Sequence, residues 1–311
     1  MNKILLQPAR LRKRLGQIAH LALHPFDHVR CMLAVARSPA ASTLSTPFKY
    51  LGDHLALSLR PDQRRQALMG HHTIIGEALS RRAASDIGDG LILWKRDVPG
   101  EQPLMLVLEP SRLAPMEGEL QLTFRHLSDL HVLTFSFAPG HVFNCARNNV
   151  LFIGGIQGLR GCRDEIRAAS KRNGEIAPVA MLLLGVQAIA KAIGLRMVAV
   201  GESDQISTSY SASMVRFNYD AFWAQVGGSH VEHFYFVPLD PPQRDLSTIQ
   251  LTHRSRTRRK RREKKAIRES IEASVKQLLT RSDPSNRLRS PAHRQRRGAE
   301  GAHENGTSAL G

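Results

Sequence analysis

Cysteine is scarce in this sequence, and its scarcity excludes two classes of small protein. The 311 residues contain only Cys31, Cys145 and Cys162, far apart along the chain. Three scattered cysteines cannot form a disulfide framework, and they lack the paired spacing of a cysteine zinc site. We therefore expect reduced thiols and a cytoplasmic protein.

Long apolar runs are also absent. No stretch approaches the roughly 18 consecutive apolar residues of a membrane-spanning helix, and the N-terminus lacks the apolar core and cleavage site of a secretory signal. We therefore expect no transmembrane segment. A peripheral position on the inner membrane stays open, because the basic, amphipathic start of the chain can lie on an anionic bilayer. The alternative is that this segment packs on the body of the protein.

Histidine is frequent, with 14 in the chain, but its spacing does not indicate a metal site. His71 and His72 are adjacent, so on a helix they point about 100° apart and do not form the i, i+4 pair that metal sites favour. His230 and His233 have no cysteine near them. We expect no metal cofactor.

Positive charge is in excess. The chain has 44 Lys and Arg against 27 Asp and Glu, and after residue 240 the balance is 18 against 7, or +11. The run RSRTRRKRREKK (254–265) has nine basic residues in twelve and no aromatic residue to stack on a base. It favours phosphate contact without sequence reading, or equally an anionic bilayer; the alternative is a solvated tail. The predicted anion-binding residues are Arg256, Arg258, Arg259, Lys260, Arg261 and Arg262.

Composition divides the chain into four parts. Residues 1–49 predict a basic amphipathic helical segment and a linker, with breaks at Pro8 and Pro25. Residues 50–240 form an α/β domain, and residues 241–280 a basic helical extension with little apolar surface for the core. Residues 281–311 are rich in Ser, Pro, Gly and Arg and predict a disordered tail.

The pattern of apolar residues predicts a mixed, largely antiparallel sheet with flanking helices, an α/β (α+β) fold. Close spacing of the first short strands predicts an antiparallel meander, and we expect strand 149–155 to be central, beside 195–201. Between and after these strands, apolar residues recur at the spacing of a helix. The predicted strands are 91–95, 103–109, 119–125, 130–138, 149–158, 195–202 and 231–239, and the predicted helices are 62–82, 163–172, 178–193, 217–228 and 254–280.

A glycine-rich turn between a strand and a helix is the most site-like element. Free backbone N–H groups at such a turn can hold a phosphate or pyrophosphate. Neither a Walker motif nor a G-x-G-x-x-G motif is present, and the alternative is that the glycines only allow a tight turn and close packing. Gly154, Gly155, Gly158 and Gly161 lie where the strand passes into the helix, and the candidate ligand-binding residues are Gln157, Gly158, Arg160 and Gly161.

The order of elements is similar to that of GNAT-type acyltransferases. In that fold the turn after the central strand holds the pyrophosphate of acyl-CoA, which implies acyl-CoA as cofactor, although the glycine spacing here differs by one residue from the usual loop. Acyl transfer needs a base for the amine and an acid for the departing thiolate. The alternative for each candidate is an ordinary structural role, as a surface carboxylate or as a phenol at the edge of the core. The candidate bases are Glu117, Glu119 and Glu202, and the candidate acids are Tyr210 and Tyr219.

A set of distinctive segments follows one another along the chain. These are EGELQLTF (117–124), LHVLTFSF (130–137), IGGIQG (153–158), IAPVAMLLL (176–184), VAVGES (198–203), FNYDAFW (217–223) and a closing arginine-rich helix. Together they resemble the bacterial VirK/YbjX family. The resemblance implies a role in virulence and envelope stress, including resistance to cationic antimicrobial peptides, but no settled reaction. Two hypotheses follow: an acyl-CoA-dependent acyltransferase, or a non-enzymatic basic protein that binds anionic lipid or nucleic acid.

Overall fold

The N-terminal helices begin at the two prolines predicted as breaks. The computed structural model of the protein describes residues 8–38, 46–145, 149–209, 217–243 and 245–279. Helix α1 spans Pro8–Leu23 and helix α2 spans Pro25–Arg37. Proline suits the first helical turn because its missing N–H would have no intrahelical partner there. The predicted disordered tail and residues 39–45 of the predicted linker lie outside the described residues.

The single helix predicted at 62–82 is two helices. Helix α3 spans Pro61–Ala78 and α4 spans Arg81–Asp89. The hydroxyl of Ser80 accepts a hydrogen bond from the Ala83 N–H at 3.2 Å and so caps α4. This cap satisfies a backbone donor that the start of a new helix leaves open.

One sheet contains all eight described strands. They are β1 (Leu91–Arg96), β2 (Leu104–Pro110), β3 (Leu120–Arg125), β4 (Asp129–Pro139), β5 (Asn149–Gly158), β6 (Arg196–Val200), β7 (Ser229–Val231) and β8 (Phe234–Val237). Their order in the sheet is β1-β2-β3-β4-β5-β6-β8-β7. β5 and β6 run parallel, and every other neighbouring pair is antiparallel. The predicted fold class is therefore confirmed, as are the antiparallel pairing of the third and fourth strands and the central place of 149–155.

The end of the sheet differs from the prediction. The single strand expected at 231–239 is the hairpin of β7 and β8. Glu232, in the connection between them, has a φ of +55°. The chain reverses there, which a strand-length apolar pattern does not reveal.

The remaining four helices follow the strands or lie between them. They are α5 (Arg163–Arg172), α6 (Pro178–Ile193), α7 (Tyr219–Gln225) and α8 (Leu251–Leu278). Helix α6 contributes many core residues, and α8 packs on it. Helix α8 contacts α6 and β1 and buries Ile267, Ile271 and Val275. Its Glu263 also pairs with Arg96 of β1 at 2.6 Å. The expectation that the extension offers little apolar surface to the core is therefore wrong.

Candidate functional site

The parallel strands β5 and β6 separate at their carboxyl ends. Their pairing covers only Val150–Ile153 against Arg196–Ala199. Beyond Ile153, β5 continues to Gly158 along β4, whereas β6 ends at Val200. In open α/β sheets, ligands commonly bind where the carboxyl ends of neighbouring parallel strands diverge.

Tyr219 lies against β5 where β6 has left it. Its hydroxyl accepts the Ile156 N–H at 3.0 Å and donates to the Ile156 carbonyl at 3.1 Å. Burial raises the pKa of this phenol well above its ordinary value, and the nearby negative charge of Glu117 adds to the increase. Tyr219 therefore stays protonated at neutral pH.

Glu117 is a buried carboxyl group beside this strand. Its Oε1 accepts a hydrogen bond from the Gln205 amide at 2.7 Å, and its Oε2 lies 3.5 Å from the Thr134 hydroxyl. Burial raises the pKa of Glu117 to about 7, although both hydrogen bonds favour the charged form. The group can therefore exchange a proton near neutral pH.

The paired glycines of β5 make room for Glu117. A Cβ atom at Gly154 would lie 1.9 Å from the Glu117 carbonyl oxygen, and one at Gly155 would lie 1.8 Å from Oε2. No side chain fits at either position without moving Glu117. These two glycines thus lie within the strand and accommodate the carboxyl group, instead of opening the strand-to-helix turn as we expected.

Gln205 joins Glu117 to Tyr219. Its amide nitrogen lies 2.7 Å from the Glu117 carboxylate and 3.5 Å from the Tyr219 hydroxyl. Its carbonyl oxygen accepts the Ser207 N–H at 2.7 Å and is also bonded by the Ser207 hydroxyl, which fixes the amide orientation. Sequence reasoning missed Gln205, and the one available signal was its position just after the VAVGES strand.

Other catalytic candidates lie outside this hydrogen-bond chain. Glu202 is half-exposed in a short 3-10 helix after β6, and its backbone N–H donates to Asp220 at 2.9 Å. Glu119 is buried and pairs with Lys49 at 2.9 Å, and its Oε1 lies 3.4 Å from Nε2 of His54. Burial raises the pKa of Glu119, and the lysine opposes that shift. Tyr210 lies outside the described residues.

The predicted ligand-binding turn lies at the carboxyl end of β5 and reaches the surface. Gln157 is half-buried, and Gly158, Arg160 and Gly161 are exposed. Gly161 has a φ of +82°, which favours glycine, and α5 begins two residues later. The turn and the Glu117 chain thus share one strand end.

The predicted anion-binding residues of α8 divide into two groups. Arg256 and Lys260 pair with Glu175, the latter at 3.2 Å. Arg258, Arg259 and Arg262 are exposed to solvent, and Arg261 lines a cavity. Arg256 is exposed as well, although it pairs with Glu175, so four of the six predicted residues extend into solvent.

Neither a metal site nor a membrane span is found in the described ranges. No three or more His, Cys, Asp or Glu side chains there are arranged to hold a metal ion. No described helix is long and apolar enough to cross a bilayer.

Comparison with known proteins gives a family. No solved structure matches the chain. An uncharacterized protein of Haemophilus influenzae is 26% identical over 162 residues, which are 51% of this chain and 54% of that protein, so the chain matches about half of that relative's length. The model of the family described as protein of unknown function (DUF535), which is the VirK/YbjX family, matches residues 28–274. Because this match spans most of the sequence, the chain belongs to that family.

Proposed function

We propose that this protein is an acyltransferase that moves an acyl group from an acyl-CoA thioester to an amine. The observation that carries the proposal is Glu117, a buried carboxyl group with a pKa of about 7 at the diverging ends of β5 and β6. A general base is most effective when its pKa lies near the working pH. An ordinary surface glutamate has too low a pKa for this role.

The side chains present can serve both proton transfers. The amine nitrogen attacks the thioester carbonyl, and the C–N bond forms as the C–S bond breaks. Glu117 takes the proton that the amine loses, and the protonated Glu117 returns it to the departing thiolate. Tyr219 keeps its own proton, which it donates to the Ile156 carbonyl. Gln205 positions the base, since its amide donates to the Glu117 carboxylate at 2.7 Å.

The order of elements supports the same proposal. The central strand β5, the glycine turn, helix α5 and the parallel strand β6 come in the same order as the corresponding elements of GNAT-type acyltransferases, with the additional helix α6 between α5 and β6. Backbone N–H groups of the turn at 157–161 and of the start of α5 would meet the CoA diphosphate. The VirK/YbjX resemblance supports an envelope substrate, because it implies a role in virulence and in resistance to cationic antimicrobial peptides.

Thermal unfolding with acetyl-CoA and with a long-chain acyl-CoA tests the proposal. Ligand at about 100 times its dissociation constant should add roughly 2.7 kcal/mol of stability. Glu117→Gln should keep this gain and lose release of free CoA in the presence of an amine. Arg160→Glu in the turn should weaken the gain.

Glu202→Gln is the matched control, because Glu202 lies outside the Glu117–Gln205–Tyr219 chain. It should keep both CoA binding and CoA release. Absence of any stabilisation by the acyl-CoAs would contradict the acyltransferase proposal.

A second candidate function, binding to an anionic membrane surface, is favoured by the apolar side chains on α1 and α2. Seven of the thirteen large apolar side chains exposed in the described ranges lie on these two helices, including Leu23 at 75% and Phe26 at 83% exposed. Exposed apolar side chains near basic residues suit the boundary between lipid headgroups and acyl chains. Arg14 and Arg30 are exposed on the same helices.

Co-sedimentation with vesicles tests this second function. Leu23→Ser with Phe26→Ser should weaken binding to phosphatidylglycerol vesicles several-fold. Leu113→Ser, at an exposed apolar residue elsewhere, should not change it. Binding to a DNA duplex without binding to these vesicles would contradict the membrane function and favour nucleic acid.

A further inference from the structure

A cavity between α6, α7 and α8 has an apolar floor. Its volume is about 630 Å³, within the range of small-molecule sites. Leu183 and Leu184 of α6 and Phe222 and Val226 of α7 line it. An alkyl chain that packs against this apolar floor is removed from water, which is favourable.

The rim of the same cavity is cationic. Arg261, Lys264, Lys265 and Arg268 line it, and their spacing places all four on one face of α8. Arg268 pairs with Asp240 at 2.6 Å, and Asp240 also lines the cavity. Lys265 pairs with Glu269 at 3.8 Å, so four cations against two carboxylates leave a surplus of positive charge at the mouth.

One buried polar group in the cavity wall has an open hydrogen-bonding site. Gln187 is 1% exposed, and its amide nitrogen donates to the Pro238 carbonyl at 3.0 Å. This bond fixes the amide orientation, and Gln187 Oε1 is then a buried acceptor without a hydrogen-bond partner among the described residues. A buried acceptor left unpaired is unfavourable, so it points to a ligand that brings a hydroxyl or an N–H.

We propose that this cavity binds a single-chain anionic lipid. Its alkyl chain lies against Leu183, Leu184 and Phe222, its anionic headgroup meets Lys264 and Lys265, and a hydroxyl between the two donates to Gln187 Oε1. Lysophosphatidic acid, with one chain, a glycerol hydroxyl and a phosphate, has all three features. The site lies on other residues than the Glu117 chain and does not depend on acyl transfer.

Native mass spectrometry and calorimetry on the full chain, below the critical micelle concentration, test the site. Lysophosphatidic acid should bind in a one-to-one ratio. The analogue without the hydroxyl, the free fatty acid and lysophosphatidylcholine should each bind at least several-fold more weakly, and glycerol phosphate should not bind. A fatty acid that binds as tightly as lysophosphatidic acid would overturn the roles of phosphate and hydroxyl.

Two variants locate the site. Lys264→Glu with Lys265→Glu should weaken binding about tenfold or more, whereas Arg258→Glu with Arg259→Glu makes the same charge change on α8 outside the cavity and should have little effect. Ala180→Trp, which fills the half-buried floor, should abolish binding, with circular dichroism to verify folding. Equal losses from the two charge variants, or full binding by a folded Ala180→Trp, would overturn the proposal. The stabilisation of the same variants by acyl-CoA is measured separately, because it tests the acyltransferase proposal and not the lipid site.

Discussion

Ionisation of the buried Glu117 carboxyl group lowers the stability of the fold, because burial raises its pKa from an ordinary value of 4.5 to about 7. A folded-state pKa above the unfolded value means that the folded chain binds this proton more tightly. The contribution of Glu117 to the free energy of unfolding is therefore greatest below pH 4.5 and is lost as the pH rises towards 7.

We expect Glu117→Gln to remove this pH dependence. The difference between the two pKa values corresponds to roughly 3 kcal/mol. Relative to wild type, the variant should gain about that much stability between about pH 5 and pH 8. Denaturant unfolding at the two pH values measures it, and parallel pH profiles would show that Glu117 ionises normally.

The stability that depends on His72 changes with pH in the opposite direction. Burial lowers its pKa to about 4, with a smaller effect from Lys49, and both ring nitrogens are buried without a hydrogen-bond partner among the described residues. Its folded-state pKa lies below the ordinary 6.5, so the stability present above pH 6.5 is lost as the pH falls towards 4.

His72→Leu should make the protein more resistant to acid. The leucine keeps an apolar contact without an unpaired polar group, and the gain over wild type near pH 4 should approach roughly 3 kcal/mol. Acid unfolding followed by circular dichroism measures the midpoint. A midpoint unchanged from wild type would mean that His72 does not limit acid stability.

Gly154 tests the close approach of β5 to Glu117. Gly154→Ala places a methyl group 1.9 Å from a backbone oxygen, which cannot rotate away, so we expect a loss of about 2 kcal/mol or more. Gly76→Ala in α3 meets no atom within 4 Å and should add up to about 1 kcal/mol. Thermal unfolding of both variants separates the clash from a general effect of alanine, and equal changes would contradict it.

At the scale of elements, α8 is part of the core although its sequence is mostly charged. Ile267, Ile271 and Val275 recur every four residues and form one buried stripe. The ion pairs of Glu263 with Arg96 and of Arg268 with Asp240 lie beside this stripe. Removing the chain after residue 240 should therefore unfold or expose α6, instead of leaving an intact domain.

Ile271→Ala measures the contribution of α8 to stability. Ile271 is fully buried, so its truncation should cost about 2–4 kcal/mol. Leu251→Ala on the same helix removes a side chain that is 77% exposed and should change stability by less than about 0.5 kcal/mol. Denaturant midpoints give both values, and a negligible loss at Ile271 would mean that α8 is not docked in solution.

At the scale of the whole molecule, the net charge of +17 is concentrated towards the C-terminal end. Arg256 and Lys260 are partly neutralised by Glu175, so fewer cations face a polyanion than the basic run suggests. Arg258, Arg259 and Arg262 are exposed and are not neutralised by Glu175, and these three would give a slope of log affinity against log salt of about −3 on duplex DNA.

Charge removal from α8 should reduce that slope. Arg258→Gln with Arg259→Gln should make it shallower by about 2 and should act equally on unrelated duplex sequences. Arg81→Gln with Arg82→Gln removes the same charge from an exposed part of α4 and should leave the slope nearly unchanged. Fluorescence anisotropy across salt concentrations measures it, and equal effects of both pairs would assign binding to net charge alone.

The amino-acid sequence was enough to predict most helices and strands in their order, the pairing of β3 with β4 and of β5 with β6, and two members of the candidate site. Strand and helix periodicities are local, and short turns restrict which strands can pair. Glu117 and Tyr219 were identifiable because their chemistry suits proton transfer. The hairpin at 229–237 and the break between α3 and α4 were missed, since each depends on one or two residues within a continuing apolar pattern.

Which residues act together is apparent only in the folded chain. Gln205 contacts Glu117 across 88 residues of sequence, and nothing in the local pattern of either segment indicates the other. The raised pKa of Glu117, the space left by Gly154 and Gly155, and the cavity under α8 likewise depend on burial by segments distant in sequence. Burial and desolvation are properties of the packed chain, so a list of residue types does not contain them.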